Sequence, residues 1–321
     1  MSGILIARLT DALTPCGTQY KKSRTNAKKT GPVQRMAGPP WRRAPAEQQE
    51  ESMKSDLKIG FIGFGNMAQA MADGLIGKQT VQPAQMLACA HDWEKLQRTT
   101  GQRGMVPCRT AREVAEGADL VVIAVKPWLV AEVAGPLADV LRTKMTLSVA
   151  SGWGFDEMES LLPGTPHWSV IPNTPIAVGE GIVIAEERHS LSAEQYAQVH
   201  GLLSSVALVE VLGPKQASAA GTVAGCGPAF ASMFLEALGD GAVKHGLPRA
   251  AAYRLAAQMM AGTGQLYLKT GTHPGAMKDA VCSPGGTTIA GVAALERAGL
   301  RAALIDAVDA VEQRSAEVKK S

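Results

Sequence analysis

The 321-residue chain offers little that would tie it to a membrane, a metal or an oxidising compartment. No uninterrupted apolar run approaches the ~18 residues that read as a membrane span. Its five cysteines, Cys16, Cys89, Cys108, Cys226 and Cys282, are odd in number and form no Cys-x-x-Cys pair. That argues against a disulfide framework and a structural zinc, and for a reducing, cytoplasmic setting. The histidines at 91, 167, 189, 200, 245 and 273 make no His-x-x-x-His or mixed Cys/His cluster, so no metal site is expected. Aromatic residues are only 4% of the chain, while Gly is abundant at 34 residues. Such a composition suits an α/β enzyme whose helices pack closely.

A basic surface is also missing once the charge is divided along the chain. Residues 1–54 hold ten of the 32 Lys and Arg but four of the 29 Asp and Glu. The other residues therefore carry 22 basic and 25 acidic side chains, and nothing marks a nucleic-acid face. The first 54 residues are polar, basic and Pro-rich without sustained periodicity, so they cannot bury enough to order themselves. Three readings stay open for them: a translated upstream region with Met53 as the working start, a disordered native extension, or a transit peptide.

From Leu57 onward, strand-like and helix-like runs alternate. Strands are expected at 57–62, 86–90, 119–125, 145–149 and 168–171, with two edge strands at 181–185 and 206–211. Helices are expected at 69–77, 93–99, 110–116, 129–141 and 156–161. Residues 120–125, Leu-Val-Val-Ile-Ala-Val, are continuously apolar, as a central parallel strand buried on both faces must be. Alternation of this kind implies a doubly wound sheet that binds its ligand at the carboxyl ends of the strands. After about Lys215 the period becomes helical throughout, as in Phe230, Met233, Phe234, Ala237 and Leu238. Helices with so little charge must be buried by something, and a second copy of the chain satisfies this. The expected domains are an extension at 1–54, a dinucleotide-binding unit at 55–215 and an all-α substrate and dimerisation unit at 216–321.

Two motifs carry the chemistry. The first strand runs through Ile62 into Gly63-Phe64-Gly65-Asn66-Met67-Ala68, a G-x-G-x-x-A pattern that opens a helix. Gly63 allows the tight turn, Gly65 lets the backbone approach a pyrophosphate, and Ala68 lets helix and strand pack closely: a Rossmann-type dinucleotide site. Far downstream stands Ser283-Pro284-Gly285-Gly286-Thr287-Thr288. It gathers three hydroxyls at a glycine turn leading into a helix, which suits a small carboxylate; alone, it also reads as an ordinary capped turn.

These motifs, with Ala124-Val125-Lys126-Pro127, Pro172-Asn173-Thr174-Pro175, Gly225-Cys226-Gly227-Pro228 and the run from His273 to Ile289, resemble the pyrroline-5-carboxylate reductase family over residues 57–318. The resemblance implies reduction of L-1-pyrroline-5-carboxylate to L-proline, with NADPH as cofactor and NADH accepted. It implies that Ser283 and the backbone N–H groups of Gly286 and Thr287, beside Gly285, bind the substrate carboxylate. It also places the Thr288 hydroxyl at the ring nitrogen, as the catalytic candidate. Ala124, Val125, Lys126 and Pro127 would line the cofactor crevice, and Asn173 and Thr174 the nicotinamide end. The implied assembly is a homo-oligomer built from dimers through the carboxy-terminal helices, acting on a small molecule, with no nucleic acid or membrane as partner.

At the end of the second strand, Asp92 stands where an acid bonds the adenosine ribose, yet it is equally placed to cap the following helix. His91 beside it is a candidate for a 2′-phosphate. The family's arginine before Pro-Asn-Thr-Pro is replaced by the run Trp168-Ser169-Val170-Ile171, and Ala224 and Cys226 stand where the family carries serines. His273 reads as a local cap rather than a catalytic residue. The competing readings are another dehydrogenase of small hydroxy or cyclic amino acids, and a non-catalytic nucleotide sensor.

Overall fold

The computed structural model describes residues 57–318, so the three readings of residues 1–54 lie outside the described residues. Eight strands follow the chain: β1 (Ile59–Ile62), β2 (Met86–Cys89), β3 (Val106–Pro107), β4 (Leu120–Ile123), β5 (Met145–Ser148), β6 (His167–Pro172), β7 (Gly181–His189) and β8 (Ala207–Leu212). They form one sheet in the order β3-β2-β1-β4-β5-β6-β7-β8. The first six are mutually parallel, whereas β7 runs antiparallel to β6 and β8 lies parallel to β7. This is a doubly wound sheet extended by a reversed pair. Every residue of β1 and β4 is buried, as central strands covered on both faces require.

One face of the sheet is covered by α1 (Asn66–Gly77), α2 (Trp93–Gly101) and α7 (Ala193–Ser204), whose Ala68, Met71, Leu75, Leu96, Val199 and Leu203 join the core formed by Ile59, Phe61 and Leu147. The other face packs on α3 (Ala111–Gly117), α4 (Val130–Ala134), α5 (Ala138–Leu141) and α6 (Phe155–Leu161) through Val114, Val130, Leu141 and Met158.

Three expectations about these elements need correction. The single helix expected at 129–141 is broken into α4 and α5 by the 3₁₀ turn Gly135–Leu137, and a further 3₁₀ turn, Pro127–Leu129, precedes α4. Pro136 has no N–H to donate and its ring crowds the preceding turn, so one helix cannot run through. The strand at 181–185 is longer than expected and is no edge, because β8 lies outside it. Finally, β3 and α7 were not foreseen at all.

Beyond β8 the chain is helical: α8 (Pro214–Gly221), a π-turn Thr222–Cys226, α9 (Gly227–Lys244), α10 (Arg249–Thr270), α11 (Pro274–Ala280), α12 (Thr287–Arg297) and α13 (Leu300–Val318). Glu312 of α13 accepts from Ser218 Oγ at 2.8 Å and from Thr222 Oγ1, latching the last helix to the π-turn. Among the described residues after Gly213, only Thr222, Ala224, Gly239, Ala252 and Ala256 are buried. Met233, Leu255, Leu266 and Ile305 are each more than half exposed. The helical stretch Lys215–Lys244 is 30 residues long and holds an 18-residue window of mean hydropathy 1.2, enough by length and composition to cross a membrane. No uninterrupted apolar run occurs there, because glycines and small polar residues break it while charges stay few.

Candidate active site

The G-x-G-x-x-A loop joins β1 to α1 at the carboxyl edge of the sheet. Gly63 has φ +91°, and a Cβ there would stand 2.7 Å from the Ala124 carbonyl oxygen, so only glycine threads the gap between the ends of β2 and β4. Its N–H donates to the Cys89 carbonyl at 3.0 Å. Gly65 is the N-cap of α1, and no atom lies within 4 Å of where its Cβ would be. The first turn of α1 contains no acidic residue. An open, uncompensated helix N-terminus approached through bare backbone fits a pyrophosphate. Behind it Ile62 and Ala68 are buried, Met67 is half-buried and Asn66 is exposed, while Gln69 Nε2 braces the loop by donating to the Phe64 carbonyl at 3.0 Å.

At the end of β2, Asp92 fills one of the two roles weighed for it. Its Oδ1 accepts from the Lys95 N–H at 2.9 Å, which caps α2. His91 beside it is exposed. The neighbouring strand end carries Arg109, whose guanidinium carbon sits 3.7 Å from the centroid of the Trp93 ring. Sequence reading passed over this pair, since β3 is too short to be visible as a strand. Burial pushes the Cys89 thiol up to about 11, so next to the glycine loop it stays protonated and unreactive at neutral pH.

Ala124 and Val125, half-buried, follow β4 and lead to the exposed Lys126. The Pro127 carbonyl accepts from Trp153 Nε1 at 2.8 Å, which ties this loop to the one after β5. Asn173, expected at the nicotinamide end, is buried, and both halves of its amide go to backbone. Its Oδ1 accepts from the Ile182 N–H at 2.8 Å, and its Nδ2 donates to the Ala224 carbonyl at 2.9 Å. The second bond has a local cause. Pro228, four residues after Ala224 at the start of α9, has no N–H to give that carbonyl, and the chain widens there into the π-turn. Asn173 therefore fastens Pro172-Asn173-Thr174-Pro175 to Gly225-Cys226-Gly227-Pro228, leaving the exposed Thr174 to face outward. Trp168, in the run that replaces the family's arginine, is fully buried and donates Nε1–H to the Glu186 carbonyl at 2.7 Å.

The hydroxyl motif forms the turn into α12. Gly285 has φ +69°, and Gly286 is the N-cap. Ser283, Thr287 and Thr288 are all exposed. A Cβ on Gly286 would collide with Ser283 Oγ, so the serine hydroxyl lies directly over the helix start. The Gly286 N–H, expected at the carboxylate, here donates to the Ser283 carbonyl at 3.0 Å and closes the turn. The free donors are the first-turn N–H groups of α12, from Thr287 onward. His273 acts as the cap expected of it, its Nδ1 accepting from the Gly275 N–H at 3.1 Å. The chief packing partner of α12 is α13, and among the described residues no hydrogen bond joins the motif to the sheet's carboxyl edge of its own chain.

Comparison with known proteins agrees with this geometry at both ends of the chain. The family described as NADP oxidoreductase, coenzyme F420-dependent, matches residues 58–152, and that described as pyrroline-5-carboxylate reductase dimerisation matches residues 214–318. The chain is 41% identical over 259 residues to the pyrroline-5-carboxylate reductase of Treponema pallidum, covering 79% of this chain and 98% of that protein. It is 37% identical over 269 residues to the Escherichia coli enzyme of the same name, covering 83% and 100%. The crystal structure of Plasmodium falciparum pyrroline carboxylate reductase with NADP bound superposes with a TM-score of 0.71 at 27% identity, over 81% of this chain and 97% of that one. With a dinucleotide loop at one end, a Ser/Thr-lined helix start at the other and this likeness along nearly the full length of its relatives, the chain belongs to the pyrroline-5-carboxylate reductase family.

Proposed function

We propose that the chain transfers hydride from NADPH, with NADH accepted, to the C=N bond of L-1-pyrroline-5-carboxylate, giving L-proline in the last step of proline synthesis. The observation that carries this reading is the Ser283–Thr288 turn, where three exposed hydroxyls ring an open helix N-terminus. The reduced nicotinamide supplies the hydride, and everything asked of the protein is positional. Ser283 Oγ–H and the N–H groups of Thr287 and Thr288 hold the substrate carboxylate, helped by the positive end of α12. Thr288 Oγ orients the ring nitrogen. A substrate bound as the iminium already carries its proton, and the hydroxyl then accepts the N–H; a neutral imine takes its proton from water relayed by the same hydroxyl. An ordinary Thr hydroxyl is a weak acid, so orientation rather than acid catalysis is its main contribution.

Residues 55–215 hold the dinucleotide, and residues 216–321 bind substrate and pair two subunits. Lys126 and Thr174, exposed at the ends of β4 and β6, flank the nicotinamide end, with Asn173 setting the shape of that wall. Because the hydroxyls are exposed and unbonded to the sheet of their own chain, pairing through α9, α10 and α12 closes each pocket with the partner's help. Larger assemblies are built from such dimers. The thiols Cys89, Cys108, Cys226 and Cys282 are all free, which accords with a soluble protein of a reducing, cytoplasmic compartment.

The test is consumption of NADPH that depends on pyrroline-5-carboxylate. Thr288→Ala is expected to lower kcat by roughly 10- to 100-fold, the worth of one good hydrogen bond to the reacting ring, with cofactor affinity unchanged. A protein that binds NADPH but leaves the imine untouched, or that turns over 3-hydroxy acids instead, defeats the reading.

A further inference from the structure

We infer that Arg109, laid over the Trp93 ring, recognises the adenosine 2′-phosphate and sets the preference of this chain for NADPH over NADH. The inference rests on the dinucleotide reading above and goes beyond it by naming the residues that choose between the two cofactors. Adenosine ribose lies at the end of the second strand of such a sheet, here the Ala90-His91-Asp92 turn between β2 and α2. β3 lies beside β2 in parallel register, with Ala88 opposite Pro107 and the Cys108 N–H donating to the Ala88 carbonyl at 2.8 Å. That register sets Arg109, two residues beyond Pro107, level with the turn and on its outer flank.

The acid that would favour an unphosphorylated ribose already gives one of its two oxygens to a helix cap. Asp92 Oδ1 is held at 2.9 Å by the Lys95 N–H, as the cap of α2. The nearest carboxylate to Arg109 along the chain, Glu113, bonds the Arg109 backbone N–H at 2.9 Å. Among the described residues the guanidinium itself makes no ion pair or hydrogen bond, and its only recorded contact is the indole face 3.7 Å away. Trp93 is packed against the core below and supplies a fixed platform. A planar cation stacked on an aromatic ring keeps its edge donors pointing outward in a rigid fork, the geometry that grips a phosphate with two parallel bonds. The 2′-phosphate adds nearly two negative charges, while NADH offers this fork only a hydroxyl.

The experiment is calorimetric titration of the full chain with NADPH, NADH, 2′,5′-ADP and 5′-AMP. Arg109 is exposed, so its replacement does not endanger the fold. Arg109→Gln is expected to weaken NADPH and 2′,5′-ADP by roughly 10- to 100-fold and to leave NADH and 5′-AMP within about twofold. Arg109→Lys, which keeps the charge but loses the fork, is expected to fall between. The binding of NADPH should also lose part of its salt dependence in Arg109→Gln. Equal weakening of all four ligands, or no change in any, overturns the assignment. A native chain that binds none of them defeats the dinucleotide reading itself, which keeps the two failures apart.

Discussion

Asn173 shows how much one side chain does at the junction of sheet and helices. Its replacement by Ala orphans the buried Ala224 carbonyl and the Ile182 N–H together. Each unpaired group costs about 1–3 kcal/mol, so Asn173→Ala should lower Tm by roughly 5–10 °C in a thermal melt. A melt indistinguishable from the native chain would show that water replaces both bonds. At this scale the sequence displayed the residue types but not their partners. The Pro-Asn-Thr-Pro loop was visible, yet the bond to a carbonyl 51 residues away was not. Of the two roles weighed for Asp92, the cap is the one visible in the backbone, through the Lys95 N–H. Ser283, Thr287 and Thr288 stood out as a cluster, while the use of the Gly286 N–H by its own turn depends on backbone angles that no spacing reveals.

Among the elements, α1 is the part whose placement matters most to the nucleotide loop at its head. Gly74 lets it lie against the 3₁₀ turn Thr174–Val178, where a Cβ would collide with the carbonyl oxygen of Ile176. Backbone cannot yield as a flexible side chain does. Gly74→Ala should therefore cost about 1–3 kcal/mol in denaturant unfolding and weaken nucleotide binding as the helix shifts; full stability and affinity would show that the turn moves aside at no cost. The parallel strands were legible because their apolar runs are long and flanked by glycine and charge. β3 was missed because a two-residue strand ending in Pro107 has no period to detect. α7 was missed because the stretch Ala193–Ser204 spreads Gln, Tyr and His around a weakly amphipathic helix. The helix expected at 129–141 failed for the opposite reason, since a convincing apolar period hid the interruption at Pro136.

The molecule as a whole is unevenly filled. Its sheet half keeps a double-sided core, whereas the helices after Gly213 bury just a handful of small residues against their own chain. The sequence conveyed this imbalance in the low charge of those helices, and the match of residues 214–318 to a dimerisation family gives the missing cover its identity. Mass action follows. If the second subunit supplies the cover, unfolding of this third of the chain releases its partner, and each tenfold rise in concentration adds up to about 1.4 kcal/mol of protection per dimer. Circular dichroism at two widely separated concentrations should show the helical transition moving upward with the more concentrated sample, and a midpoint blind to concentration would contradict the coupling. Dilution should then act as a selective denaturant, loosening the helical third of the chain while the sheet stands.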